Sequence, residues 1–138
     1  MKYLILVLLV LAPLGSPVLQ AGEKANTILV HPGEVIYARF EQKGKKLKLI
    51  SATKEKNDAA QVVISLSAKD PKNIVAPLTL KVENNFPQDL TYAGEMRIKA
   101  KNMHHPATVY PVVATKMALE TVPSFVDELA LFEFGLQP

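Results

Sequence analysis

The chain has no cysteine and no tryptophan, and beyond Met1–Ala21 it has no long apolar run. Without cysteine there is no disulfide, no thiolate nucleophile, no cysteine-bound zinc and no lipobox for diacylation. A folded domain must then draw its stability from packing alone. The antibody-type sandwich signature, a cysteine pair with a strand tryptophan, is excluded as well. No Asn-x-Ser/Thr acceptor occurs, so no N-glycan has to be accommodated. There is no Gly-x-Ser-x-Gly elbow and no glycine-rich phosphate loop, which removes the common signatures of acyl and phosphoryl transfer. The segment Glu120–Pro138 lacks lysine and arginine altogether.

What is present begins with an address. Met1-Lys2 opens with a positive charge, Tyr3–Leu14 is almost unbroken apolar sequence, and Pro13, Gly15 and Pro17 lead to the small residue Ala21. This three-part layout is that of a secretory signal peptide. Its apolar stretch is shorter than the ~20 residues of a membrane-spanning helix. The expectation is therefore cleavage after Ala21, with 1–21 a signal peptide and 22–138 a single domain. A cysteine-free, glycan-free exported domain points to a bacterial periplasmic or secreted protein with no transmembrane segment after signal removal. The formal net charge is +3, of which Lys2 supplies one. So small a charge speaks against nucleic acid as a partner.

The remaining sequence alternates with period two, the mark of half-buried strands. Val35–Gln42 places Ile36, Ala38 and Phe40 on one face, and Leu47–Ala52 returns after the turn Gln42-Lys43-Gly44-Lys45. Gln61–Ala68, Pro77–Glu83 and Leu90–Lys99 follow the same rule, with Leu80, Val82, Tyr92 and Ile98 expected in the core. Asn26–Val30 is a short strand closed by His31-Pro32-Gly33. Asn84-Asn85 and Lys101–Pro106 read as turns, Thr108–Ala114 as a strand, and Thr121–Phe125 as irregular around Pro123. The final strand, about Glu128 to Leu136, carries Ala130, Phe132, Phe134 and Leu136 on one predicted face. About seven or eight strands at this spacing predict an all-β, single-domain, two-sheet antiparallel β-sandwich.

The run Leu78-Thr79-Leu80-Lys81-Val82-Glu83-Asn84-Asn85-Phe86-Pro87, with Leu90-Thr91-Tyr92-Ala93-Gly94-Glu95-Met96 and on to Pro111, resembles small exported bacterial Ig-like or fibronectin-type β-sandwich proteins of unassigned function. The resemblance covers about half of the segment 22–138 and includes no site motif. It implies fold and compartment and transfers no functional residue.

Candidate chemistry is sparse. The histidines are few and all lie in expected turns, and Asp127-Glu128 is the one adjacent carboxylate pair. Neighbouring strand residues face opposite ways, so that pair would not share a substrate. The reading is therefore not an enzyme and needs no cofactor. It is a binding or interaction protein, monomeric or weakly associating, whose partner is a protein or an anionic envelope component. Lys43, Lys45, Lys46 and Lys48 crowd the tip of one hairpin and form the expected partner surface. The alternative is a small periplasmic copper-binding protein. There Met103, His104 and His105 in a turn supply thioether and imidazole ligands, a set that suits copper.

Overall fold

The computed structural model describes residues 25–68 and 70–138. The expected signal segment, Met1–Ala21, lies outside the described residues. The fold is all-β, and its one helical element among them is a 3-10 turn at Lys99–Lys101. The strands are β1 (Ile28–Val30), β2 (Val35–Lys43), β3 (Lys46–Thr53), β4 (Val62–Ala68), β5 (Leu78–Asn84), β6 (Asp89–Ile98), β7 (Met103–Ala107), β8 (Met117–Val122) and β9 (Glu128–Gln137). They form one curled antiparallel sheet in the order β7-β6-β9-β3-β2-β4-β5-β8, with β1 paired to β9.

Alternation generates the interior. Ile36, Ala38 and Phe40 of β2, Val62, Ile64 and Leu66 of β4, and Leu78, Leu80 and Val82 of β5 all point inward. Leu90, Leu129, Leu131, Phe134 and Leu136 meet them from β6 and β9. Asn84 is one of three buried polar residues among those described, with Thr27 and Glu128, and its hydrogen bonds explain why it is tolerated. Its amide donates to the carbonyls of Gln88 (2.8 Å) and Val112 (3.0 Å), and its Oδ1 accepts from the Phe86 amide (2.9 Å). The Asn84–Asp89 turn is thereby tied to the irregular segment that follows β7.

Two bulges set which side chains face in. Between Arg39 and Phe40 the β2–β3 register shifts, leaving Ile50 as an extra, half-exposed residue of β3. The Phe40 amide donates instead to Gln61 Oε1 at 2.6 Å. In β9 the shift lies opposite Tyr92, where Glu133 adopts φ 56°. One extra residue reverses the parity of everything beyond it. Leu129 and Leu131 face inward before the bulge, and Phe134 and Leu136 after it.

Four expectations are corrected. Ala130 and Phe132 do not share the core face of Phe134 and Leu136, because the Glu133 bulge intervenes, and Phe132 is half-buried. Tyr92 and Ile98 are also half-buried, whereas Leu80 and Val82 are fully enclosed. Lys101–Pro106 is not a turn. Asn102 in the left-handed region (φ 49°) makes the reversal, and Met103–Ala107 is strand β7. The expected strand Thr108–Ala114 is instead an irregular segment with one bridge, Leu90 to Val112, while the strand that pairs with β5 is Met117–Val122.

Candidate functional site

β9 holds its neighbours unevenly. Its Leu129–Leu131 stretch pairs with β1, and farther along Gly135 pairs with Lys46 of β3. Among the described residues that is the one register pair joining β3 to β9, reinforced by the Leu136 amide donating to the Lys45 carbonyl at 2.7 Å. Between these two attachments the seam is open. Asn26, in the left-handed region at φ 66°, turns its Oδ1 to accept the Leu49 amide at 2.8 Å and caps the β3 side of the gap.

A cleft of about 530 Å³ occupies the opening. That volume lies within the range of small-ligand sites, roughly 300–1,000 Å³. Leu47, Phe132 and Phe134 form apolar wall, and Lys43, Lys46 and Lys48 stand around it with one carboxylate, Glu133. The β9 bulge puts Phe132 and Phe134 on different faces; both line the cleft, Phe132 half-buried and Phe134 from within the core. Phe134 is anchored from behind by Phe40 (ring centroids 5.0 Å apart) and by Tyr92, stacked at 6.0 Å.

The lysines expected to form a partner surface are thus divided. Lys43, Lys46 and Lys48 line the cleft, and Lys45 sits at the hairpin tip with its carbonyl in the seam. Lys43 Nζ lies 3.4 Å from Glu41 Oε1. Lys46 and Lys48 have no ion pair among the described residues.

A second cluster sits between the β1–β2 turn and the start of β9. Glu128 is buried, yet its carboxylate receives His31 Nε2 at 2.6 Å, Arg97 Nη1 at 3.3 Å and Lys99 Nζ at 3.5 Å. His31 Nδ1 meets Glu34 Oε1 at 2.8 Å, and Lys54 Nζ meets Glu34 Oε2 at 2.6 Å. On the other side Arg97 Nε bonds Glu95 Oε1 at 2.9 Å, which also meets His104 Nδ1 at 3.1 Å. The result is a chain of alternating basic and acidic side chains, Lys54–Glu34–His31–Glu128–Arg97–Glu95–His104, running from just beyond β3 through the β1–β2 turn and β9 to β6 and β7. Burial raises the Glu34 carboxyl, but hydrogen bonds from Lys54 and His31, with the His31 charge, outweigh it and hold Glu34 below its ordinary value of 4.5. Both His31 ring nitrogens are engaged by carboxylate oxygens, of Glu34 on one side and Glu128 on the other.

Sequence reasoning missed this network because its closing contacts are remote: His31 and Glu128 are 97 positions apart. The local signals were Glu34 at the third position after His31, and the acid pair Asp127-Glu128 set between the apolar residues Val126 and Leu129.

Met103, His104 and His105 lie on strand β7, not in a turn, so consecutive side chains alternate faces. His104 joins the Glu95 ion pair. Met103 and His105 instead line a groove of about 350 Å³ with Met96, Ile98, Lys101 and Phe125. No group of three or more His, Asp or Glu among the described residues is arranged to hold a metal ion.

Comparison of the chain with protein-family models, with curated proteins and with solved structures finds no match.

Proposed function

We propose that this chain is an exported, periplasmic or secreted bacterial protein that binds an anionic ligand or partner surface without catalysing a reaction. The observation that carries this reading is the lysine-rimmed cleft at the β3–β9 seam, where Lys46 and Lys48 stand beside an apolar wall and make no ion pair among the described residues. Unpaired ammonium groups contribute little to folding but raise encounter rates with anions, an effect that fades as salt rises. The non-catalytic part rests on His31, whose ring nitrogens are both occupied, and on His104, tied to Glu95. Export rests on the layout of Met1–Ala21. We further read the two halves of the curled sheet, joined at the Lys46–Gly135 corner, as the layers of an Ig-like or fibronectin-type sandwich.

The test replaces Lys43, Lys45, Lys46 and Lys48 with glutamine. Thermal melts of the variant should match wild type, since exposed pairs are typically worth less than ~1 kcal/mol. Binding to long-chain polyphosphate and to vesicles rich in anionic lipid, read at low and high salt, should weaken. Equal retention of every anionic probe by wild type and variant would reduce the hairpin to a solvated element. Intact-mass analysis of secreted material should show loss of Met1–Ala21, and the full-length chain in the membrane fraction would contradict export.

A second reading is favoured by one arrangement. Met96 is the register partner of His105, and with Met103 all three line one groove. Two thioethers and an imidazole form a soft set that suits copper(I). Copper(I) titration against a chromophoric chelator would decide it. A stoichiometric site lost on Met103→Leu and His105→Ala but kept on His104→Ala supports this reading, and no competition with the chelator removes it.

A further inference from the structure

We infer that the cleft at the β3–β9 seam takes a single-chain amphipathic anion, a molecule with one carboxylate or sulfate head on a slender apolar tail. The inference rests on the anion-binding reading above and names its ligand class. Lys46 and Lys48 are separated by one residue on the same face of β3. Their stems therefore start about 7 Å apart along the strand, close enough for one head group to meet both ammonium groups. Lys43 stands directly across the hairpin from Lys46 and is partly neutralised by Glu41 at 3.4 Å.

The acidic lining residue limits the charge the site accepts. Glu133 is exposed on the bulge and contributes a carboxylate to the same cleft. A ligand with one negative charge meets Lys46 and Lys48 without driving a second charge toward Glu133. A polyanion would have to place successive charges along the cleft and meet that repulsion.

The remaining wall selects for an apolar body. The half-buried Phe132 offers hydrocarbon, backed by the enclosed side chains of Phe134 and Leu47, and polar repeats laid there would lose water without gaining hydrogen bonds. A cleft of about 530 Å³ is far larger than a bare inorganic anion requires. An acyl or aryl tail fills it, and binding is favoured by the apolar surface removed from water. Phe134 is held by Phe40 and Tyr92, so the aromatic wall is built before the ligand arrives.

The experiment is calorimetric titration of the 22–138 chain, prepared as the secreted product, with laurate kept below its micelle-forming concentration. Dodecyl maltoside below its own critical concentration is the neutral control, and polyphosphate and anionic vesicles are the tail-free and membrane controls. Laurate should saturate one site, with binding weakened about tenfold in Lys46→Gln/Lys48→Gln and to a similar degree in Phe132→Ala. Phe132→Leu keeps apolar bulk and should retain most of the affinity, which separates a lost contact from a lost fold. Binding of polyphosphate or vesicles but not of laurate, still sensitive to the lysines, would overturn this inference and leave the anion-binding reading standing. Laurate binding that ignores the lysines would also overturn it, because the head group would then go unrecognised. If no anionic probe distinguishes wild type from the lysine variant, both readings fall.

Discussion

The Tyr92 side chain faces two ways in energy. Its ring stacks on Phe134, yet its hydroxyl is buried with no hydrogen-bond partner among the described residues. Burial, with the Glu120 charge adding, raises the phenol above its ordinary value, so it stays neutral. An unpaired buried hydroxyl costs about 1–3 kcal/mol, so Tyr92→Phe should leave stability unchanged or raise it by about 1 kcal/mol. A lower urea midpoint in that variant would mean that the hydroxyl has a bridging partner. Glu34 offers a test of opposite character. Its carboxyl is held below 4.5 in the folded state. The Lys54 and His31 contacts therefore add stability above the unfolded value, and that contribution is lost as pH falls through the folded one. The gap in urea midpoint between wild type and Glu34→Gln should accordingly be largest near neutrality and shrink on acidification below about pH 4.5. A gap independent of pH would show that the Glu34 carboxylate does not titrate against these contacts.

At the level of single strands, the Glu133 bulge makes Phe132 and Phe134 unequal despite their matched spacing. Phe134 belongs to the enclosed core, and Phe132 is half-buried beside the cleft. Phe134→Ala should therefore cost about 3–5 kcal/mol, and Phe132→Ala substantially less. Equal losses in chemical denaturation would place both rings on one face and remove the bulge. The same position marks the limit of what alternation reveals. In β2, β4 and β5 the period-two pattern correctly gives the inward residues, because no extra residue interrupts those inward runs. In β9 a glutamate in the left-handed conformation flips the register, and glutamate carries no turn signal by which it could be read. Strand β7 was hidden for a related reason. The 3-10 turn Lys99–Lys101, closed by Asn102, makes the reversal in four residues, so the histidines that read as loop residues are ladder residues. Of the candidate site, the lysines are legible in the sequence. Their aromatic wall is not, because Phe132 and Phe134 join Lys46 and Lys48 only through β3–β9 proximity.

For the whole molecule, the curled sheet ends in two open edges, β7 and β8. They are not equally protected. β7 carries Pro106 and the His104 ion pair, features that discourage strand addition. β8 carries Met117 and Leu119, more than half exposed at 57% and 63%. Wild type should therefore associate weakly as concentration rises, and Leu119→Lys should reduce this without moving the thermal midpoint. Sedimentation velocity over a concentration series is the check, and identical profiles would show that the β8 edge is already guarded. No helix among the described residues is long and apolar enough to cross a membrane.

The position of β9 also governs when the chain can fold. This strand is the shared neighbour of β1, β3 and β6. A nascent chain that has reached only β8 holds the hairpin partners of β2 and β5 but nothing to seat β1 or to close Glu128 onto His31. Those contacts must wait until residues 128–137 have been synthesised, and the loop closed when β1 meets β9 is nearly as long as the described chain. Such non-local closure is slow. A chain shortened before Glu128 would keep the partners for β2–β3, β4–β5 and β5–β8 pairing but leave β1 without any partner strand and β6 with β7 alone.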